Sequence, residues 1–183
     1  MKTKLKQFQQ HLYHEIEDDE KAEAYLDESL SMIGLVVMYF NSLESSLDSV
    51  LCENFTDRTD APGLIVLNKL NFGSKVELFK RFCDDFHLCM PVKIDEYNRL
   101  ITDLNEASRL RNLVVHANWE STDEEGYTFV RLKMSKNGMH QEYRQFSPES
   151  FEKMLELFIQ TQLALHKYWE NRNDVLYQRT PST

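Results

Sequence analysis

Between residues 21 and 54 the apolar side chains recur in steps of three and four: Leu26, Leu30, Ile33, Val37, Phe40, Leu47 and Leu51. That spacing puts them on one face of a long helix. A stripe of this length has to be covered by other helices, so a helical bundle is expected. One step of the series lands on Glu44 instead of an aliphatic residue. A carboxylate on an apolar stripe is costly unless it is paired or at a boundary. Either Glu44 meets a cation or hydrogen-bond donor from another helix, or it turns to a groove edge while Leu43 fills the seam.

Composition supports one helical core. The chain has 183 residues, 42% of them hydrophobic, enough for one core. Five Gly and four Pro are few, which disfavours a turn-rich β fold. Thirty acidic residues against 21 basic ones leave a net charge of −9, a poor start for a general nucleic-acid binder. An RNA substrate therefore requires a local basic site. Cys52, Cys83 and Cys89 form no CxxC pair and read as reduced thiols. The first residues lack the apolar core of a signal peptide, and the apolar run 32–40 is far shorter than the ~20 residues of a membrane span. A soluble, cytoplasmic chain with no membrane partner is expected.

Along the chain, residues 4–20 read as a polar helix ending in an acidic run, and Thr56 to Gly63 as a loop. Residues 64–70 form a short apolar piece. Ser74 and Glu77 are spaced as a capping box for a helix over 75–88, with Val76, Phe79 and Phe82 or Cys83 inward and a stop at Met90-Pro91. A further helix is expected over 92–119. Residues 126–146 switch to strand character around Asn137-Gly138, a hairpin signal. Ser147-Pro148 then opens a last helix running to about Asn171, with fraying after Asp174. The predicted class is all-α: a bundle of four to five helices with one β-hairpin inserted before the last.

The helix over 92–119 carries the polar residues of interest. Ile94, Tyr97, Ile101, Leu104, Ser108, Arg111 and Val115 follow the helical period, which puts Arg111 on the apolar stripe. His116 lies roughly 140° around from Arg111, while Asn112 and His116 are neighbours four residues apart. An arginine can grip a phosphate with its planar fork, and a histidine can move protons near neutral pH. The residues equally allow a structural reading, in which Arg111 sits in a buried ion pair and His116 in the core.

The run Arg111-Asn112-Leu113-Val114-Val115-His116 resembles the Arg-polar-x3-His signature of HEPN domains (higher eukaryotes and prokaryotes nucleotide-binding). Asn41-Ser42-Leu43-Glu44 adds a weaker likeness, and the layout over residues 25–172 resembles the HEPN plan. The chain then divides into a polar N-terminal helix or extension over 1–20, a domain over 21–172 that resembles HEPN, and a tail over 173–183. It implies a metal-independent endoribonuclease of bacterial defence or toxin type, with Arg111 and His116 catalytic and Asn112 and Glu44 in support. Glu44 would hold Arg111 or fix the imidazole tautomer. One histidine cannot be acid and base together, and HEPN ribonucleases solve this by dimerising. The expected partners are an RNA substrate, tRNA among the candidates, a second copy of the chain, and an antitoxin or regulatory protein. The alternative is a non-catalytic module that binds a protein, a nucleotide or an anion.

Other motifs are weak. His11, His14 and Glu15 have a metal-compatible spacing but no second ligand cluster, so no metal or cofactor is expected. Cys83 and His87 read as packing neighbours. No Gly-rich phosphate loop, GxSxG elbow or HExxH occurs in the sequence, which leaves NTPases, α/β-hydrolases and zincins without support.

Overall fold

The structure, a computed structural model, describes residues 1–8, 16–55, 61–90, 92 and 94–177. In chain order the elements are β1 (Thr3–Gln7), α1 (Asp19–Cys52), α2 (Ala61–Leu67), α3 (Phe72–Cys89), α4 (Tyr97–Val115), β2 (Asn118–Thr122), β3 (Tyr127–Ser135), β4 (Gly138–Gln145) and α5 (Pro148–Tyr177). The expected all-α class is corrected. Among the described residues a four-stranded antiparallel sheet accompanies five helices, so the fold is mixed α and β. The chain divides into two compact units, Met1–Met38 with Leu110–Leu155, and Tyr39–Arg109 with Glu156–Thr183. Helices α1, α4 and α5 contribute residues to both.

The sheet lies in the first unit, in the order β1-β4-β3-β2. β3 and β4 are the expected hairpin, turning at Gly138 with φ +104°. The other two strands correct the sequence reading. Residues 4–7, expected as the start of a helix, lie in β1, which pairs antiparallel with β4 from Thr3↔Arg144 to Gln7↔His140. Five residues cannot hold a helix by local propensity alone, and β4 offers a ladder that only the folded chain supplies. The helix expected to reach residue 119 stops at Val115, because Asn118–Thr122 pairs with β3. Between β2 and β3, Asp123 Oδ1 accepts from the amides of Glu125 and Tyr127. Gly126 there has φ +79°, and a Cβ at that position would strike the ring of Tyr25, whose hydroxyl donates to the Phe146 carbonyl.

The second unit is helical. Its part of α1 buries Phe40, Leu43, Leu47, Val50 and Leu51, while Leu30 of the expected stripe, on the part of α1 in the first unit, is 56% exposed. Leu43 fills the seam where the expected stripe met Glu44. Phe40 packs on Phe72 and Phe158, and Phe79 on Tyr168. The cap of α3 lies three residues before the expected one. It is Asn71, whose side chain accepts from the Ser74 amide, so Ser74 is not the cap. α4 starts later than expected, after Glu96 at φ +71°, whose carbonyl accepts the Leu100 amide. α5 opens as read, in the first unit, with the Ser147 hydroxyl accepting from the Ser150 amide, and continues to Tyr177.

The metal-spaced His11, His14 and Glu15, most of the loop after Phe55, and residues 178–183 of the expected tail lie outside the described residues. Part of α1 has the length and composition of a membrane-crossing helix, with 22% of that stretch buried, a test that core helices also pass.

Candidate functional site

Arg111, Asn112 and His116 fall together in the first unit, at the C-terminal end of α4. Arg111 is half-buried and donates from Nη1 to Asn112 Oδ1 at 3.1 Å. With that oxygen engaged, the Asn112 amide presents its NH2 as the remaining donor end. His116 is the first residue past the helix, and its side chain is exposed. Its backbone amide still donates to the Asn112 carbonyl at 3.1 Å, which carries helical geometry one step beyond Val115. The motif is thus a cation, an amide and an imidazole at one helix end, with the imidazole on the solvent side.

The last carbonyls of a helix have no partner inside it. Here the indole of Trp119 supplies one, donating from Nε1 to the Val114 carbonyl at 2.8 Å. The ring in turn lies 4.8 Å from Phe146 and stacks on Phe151 at 6.3 Å, centroid to centroid. The carbonyl of Trp119 accepts from the buried Thr122 hydroxyl, which pairs with that of Thr128. This chain of contacts ties the turn that displays His116 to the aromatic core of its unit. In the sequence Trp119 stands three residues beyond His116, with no local mark of an anchor. Its anchoring role depends on the chain reversal into β2, which the helical reading of 92–119 hid.

Glu44 belongs to the other unit. It meets a cation from another helix, as one of the two open readings required, and that cation is Lys75 of α3, at 2.8 Å. The same ammonium lies 2.9 Å from Asp48, one turn along α1. Lys75 is 7% exposed, so one buried cation sits between two half-buried carboxylates. Burial pushes the Lys75 ammonium down, but its bonds to Glu44 and Asp48 outweigh that and hold its pKa above the ordinary 10.5. Sequence reading missed Lys75 because a lysine four residues into an amphipathic helix reads as solvated.

No protein-family model, curated protein or solved structure matches the chain.

Proposed function

We propose that the chain is a HEPN-like, metal-independent endoribonuclease that uses Arg111 and His116. The observation that carries this reading is the end of α4, where Arg111 is held to Asn112 at 3.1 Å beside an exposed His116. In the proposed reaction His116 takes the proton of a 2′-hydroxyl. The 2′-oxygen forms a bond to phosphorus, the bond from phosphorus to the 5′-oxygen breaks, and an acid protonates that oxygen. The products are a 2′,3′-cyclic phosphate and a 5′-hydroxyl end. Arg111 offsets the charge that builds on the phosphoryl oxygens, and Asn112 orients Arg111. The second histidine comes from a second copy of the chain, so the active species is a homodimer. Glu44 keeps to its ion pair with Lys75 and takes no step in this reaction. A cytoplasmic location, a role in defence or as a toxin, and an antitoxin or regulatory partner complete the proposal.

The test is cleavage of tRNA and total RNA in EDTA by wild type and by His116→Ala. Wild type is expected to cut. The variant, folded because its side chain is exposed, should be slower by about 10²- to 10⁴-fold, the usual range for losing a general acid or base. Equal cutting by both proteins refutes the assignment of His116.

A second reading, a non-catalytic interaction module, is favoured by α2. That helix exposes Leu64, Ile65 and Val66 side by side, at 51%, 77% and 49%. Adjacent apolar residues open to solvent suit a protein contact. Under this reading neither protein cleaves RNA.

A further inference from the structure

The charges of this chain are segregated. Residues 1–7 and 130–145 hold seven of its 21 Lys and Arg but one of its 30 Asp and Glu, a formal +6 within a chain of −9. Strand pairing brings these two distant segments together as β1, β4 and most of β3, all in the first unit.

The register then sorts the charges by face. Directly opposed residues on antiparallel strands share a face. β4 and β1 therefore place Arg144 with Thr3, Glu142 with Leu5, and His140 with Gln7 on one side. On β3 the register slips between Phe129, which faces Tyr143, and Arg131, which faces Glu142. A single extra residue, Val130, reverses the alternation of everything after it. Without that bulge, Arg131 and Lys133 would share the face of Tyr143. With it, Arg131 stands opposite Glu142 and Lys133 opposite His140.

Glu142 organises the face. Its side chain is 1% exposed, with Arg131 Nε at 2.8 Å, Arg144 Nη2 at 2.5 Å and Lys133 Nζ at 4.0 Å. Burial pushes its carboxyl up, but the Arg131 bond and the Arg144 charge outweigh burial and keep it ionised below the usual carboxylate range. One buried anion thus holds three cations in a fixed array with positive charge in excess. The outer two stay open to solvent, with side chains 59% exposed for Arg131 and 53% for Lys133. Lys136 continues the charge into the hairpin turn, where it too is exposed.

We propose that this sheet face, built from Arg131, Lys133 and Arg144 around Glu142 and extended by Lys136, binds the phosphate backbone of RNA. Charge complementarity selects a polyanion, since an acidic chain that sets Arg131, Lys133, Lys136 and Arg144 together around one carboxylate offers such a partner a local positive face. The rows of the face are otherwise Thr3, Gln7, Thr128 and Ser135, with Leu5 the one apolar residue among those paired, which suits a hydrated backbone and not a lipid surface. Fixed guanidinium forks match phosphate oxygens. The choice of RNA rests on the ribonuclease reading and supplies the local basic site that reading requires.

The experiment measures fluorescence anisotropy of a labelled oligouridylate against salt, in the His116→Ala background so that cleavage does not interfere. Lys133→Glu with Lys136→Glu leaves the Arg131–Glu142–Arg144 contacts in place. It is expected to weaken binding at least about tenfold and to reduce the slope of log K against log salt by about 1.4, for two phosphate contacts on a single strand. Lys133→Gln with Lys136→Gln should give an intermediate loss and covers the case in which the reversed hairpin does not fold. Lys69→Glu with Lys153→Glu changes net charge equally from exposed sites outside the face and should leave binding as it was. The inference is overturned if the hairpin variants bind as the parent does, if the control weakens binding as much, or if the parent binds anionic vesicles but not the oligonucleotide. The two readings fail separately. RNA cleavage by wild type with unimpaired binding by the hairpin variants refutes the sheet site alone. Hairpin-dependent binding with no cleavage refutes the nuclease alone.

Discussion

Replacing Lys75 by methionine asks whether Glu44 and Asp48 are structural or catalytic carboxylates. Methionine keeps most of the buried aliphatic length and removes the ammonium. Two charge-assisted bonds are lost, at 2.8 and 2.9 Å, each worth about 1.5–3 kcal/mol in a protein. The carboxylates remain 30% and 22% exposed, so water partly replaces the lost partner and the lower end applies. The expected loss is about 3 kcal/mol, near the bottom of the range for removing one member of a buried ion pair. For a chain of this size that lowers Tm by roughly 6–12 °C. Urea unfolding followed by circular dichroism measures it, with a lower midpoint and an unchanged m-value. The wild type should lose the same contribution at alkaline pH. A lysine whose folded pKa is raised contributes fully below its ordinary 10.5 and loses that contribution as pH rises through the folded value. The difference between the two proteins should therefore be flat from neutral pH to about 10 and shrink above that. A loss under about 1 kcal/mol, or a difference that persists unchanged in strong alkali, refutes the reasoning. RNA cleavage lost at undiminished stability would return Glu44 to the catalytic site.

Two further outcomes are expected. Trp119→Phe keeps the ring against Phe146 and Phe151 but removes the Nε1 bond to the Val114 carbonyl. It should cost about 1 kcal/mol of stability and depress RNA cleavage by more than it depresses binding, because it loosens the turn carrying His116; unchanged cleavage argues against an anchoring role. Cys89 is exposed, Cys52 and Cys83 are buried, and burial pushes the Cys83 thiol up to about 12. Iodoacetamide at pH 8 should label Cys89 alone in the native protein and all three cysteines in urea, as read by mass spectrometry; rapid native labelling of Cys83 contradicts its packing.

Much of the helical frame was legible because its signals are local. The three-and-four spacing along α1, the Ser147-Pro148 opening of α5 and the Asn137-Gly138 turn each act within a few residues, and each element is found where it was expected. The motif at 111–116 was legible in the same way. Its residues are adjacent in sequence, and any helix over them brings Arg111 beside Asn112.

Other features had no local signal. Residues 3–7 are alternating lysines that favour no element by themselves, and they become a strand because β4 presents an edge more than 130 residues away. Trp119 and its neighbours continue a helical pattern on paper, yet pairing with β3 and burial against Phe146 turn them into β2. These two strands overturned the all-α expectation. The partner of Glu44 was likewise set by which face of α3 meets α1.

The sequence by itself determined that long amphipathic helices would form, that one of them would carry Arg111 and Asn112, and that the chain would be acidic. These follow from periodicity and composition, which need no partner to be read. The tertiary structure decided what those residues meet. It gave Glu44 a buried lysine, tied the end of α4 to Trp119, and used one bulge at Val130 to turn Arg131 and Lys133 onto the face of Glu142. Pairing register and burial are properties of segments far apart in the chain, so the physical reason for each lies in the fold and not in the local order of residues.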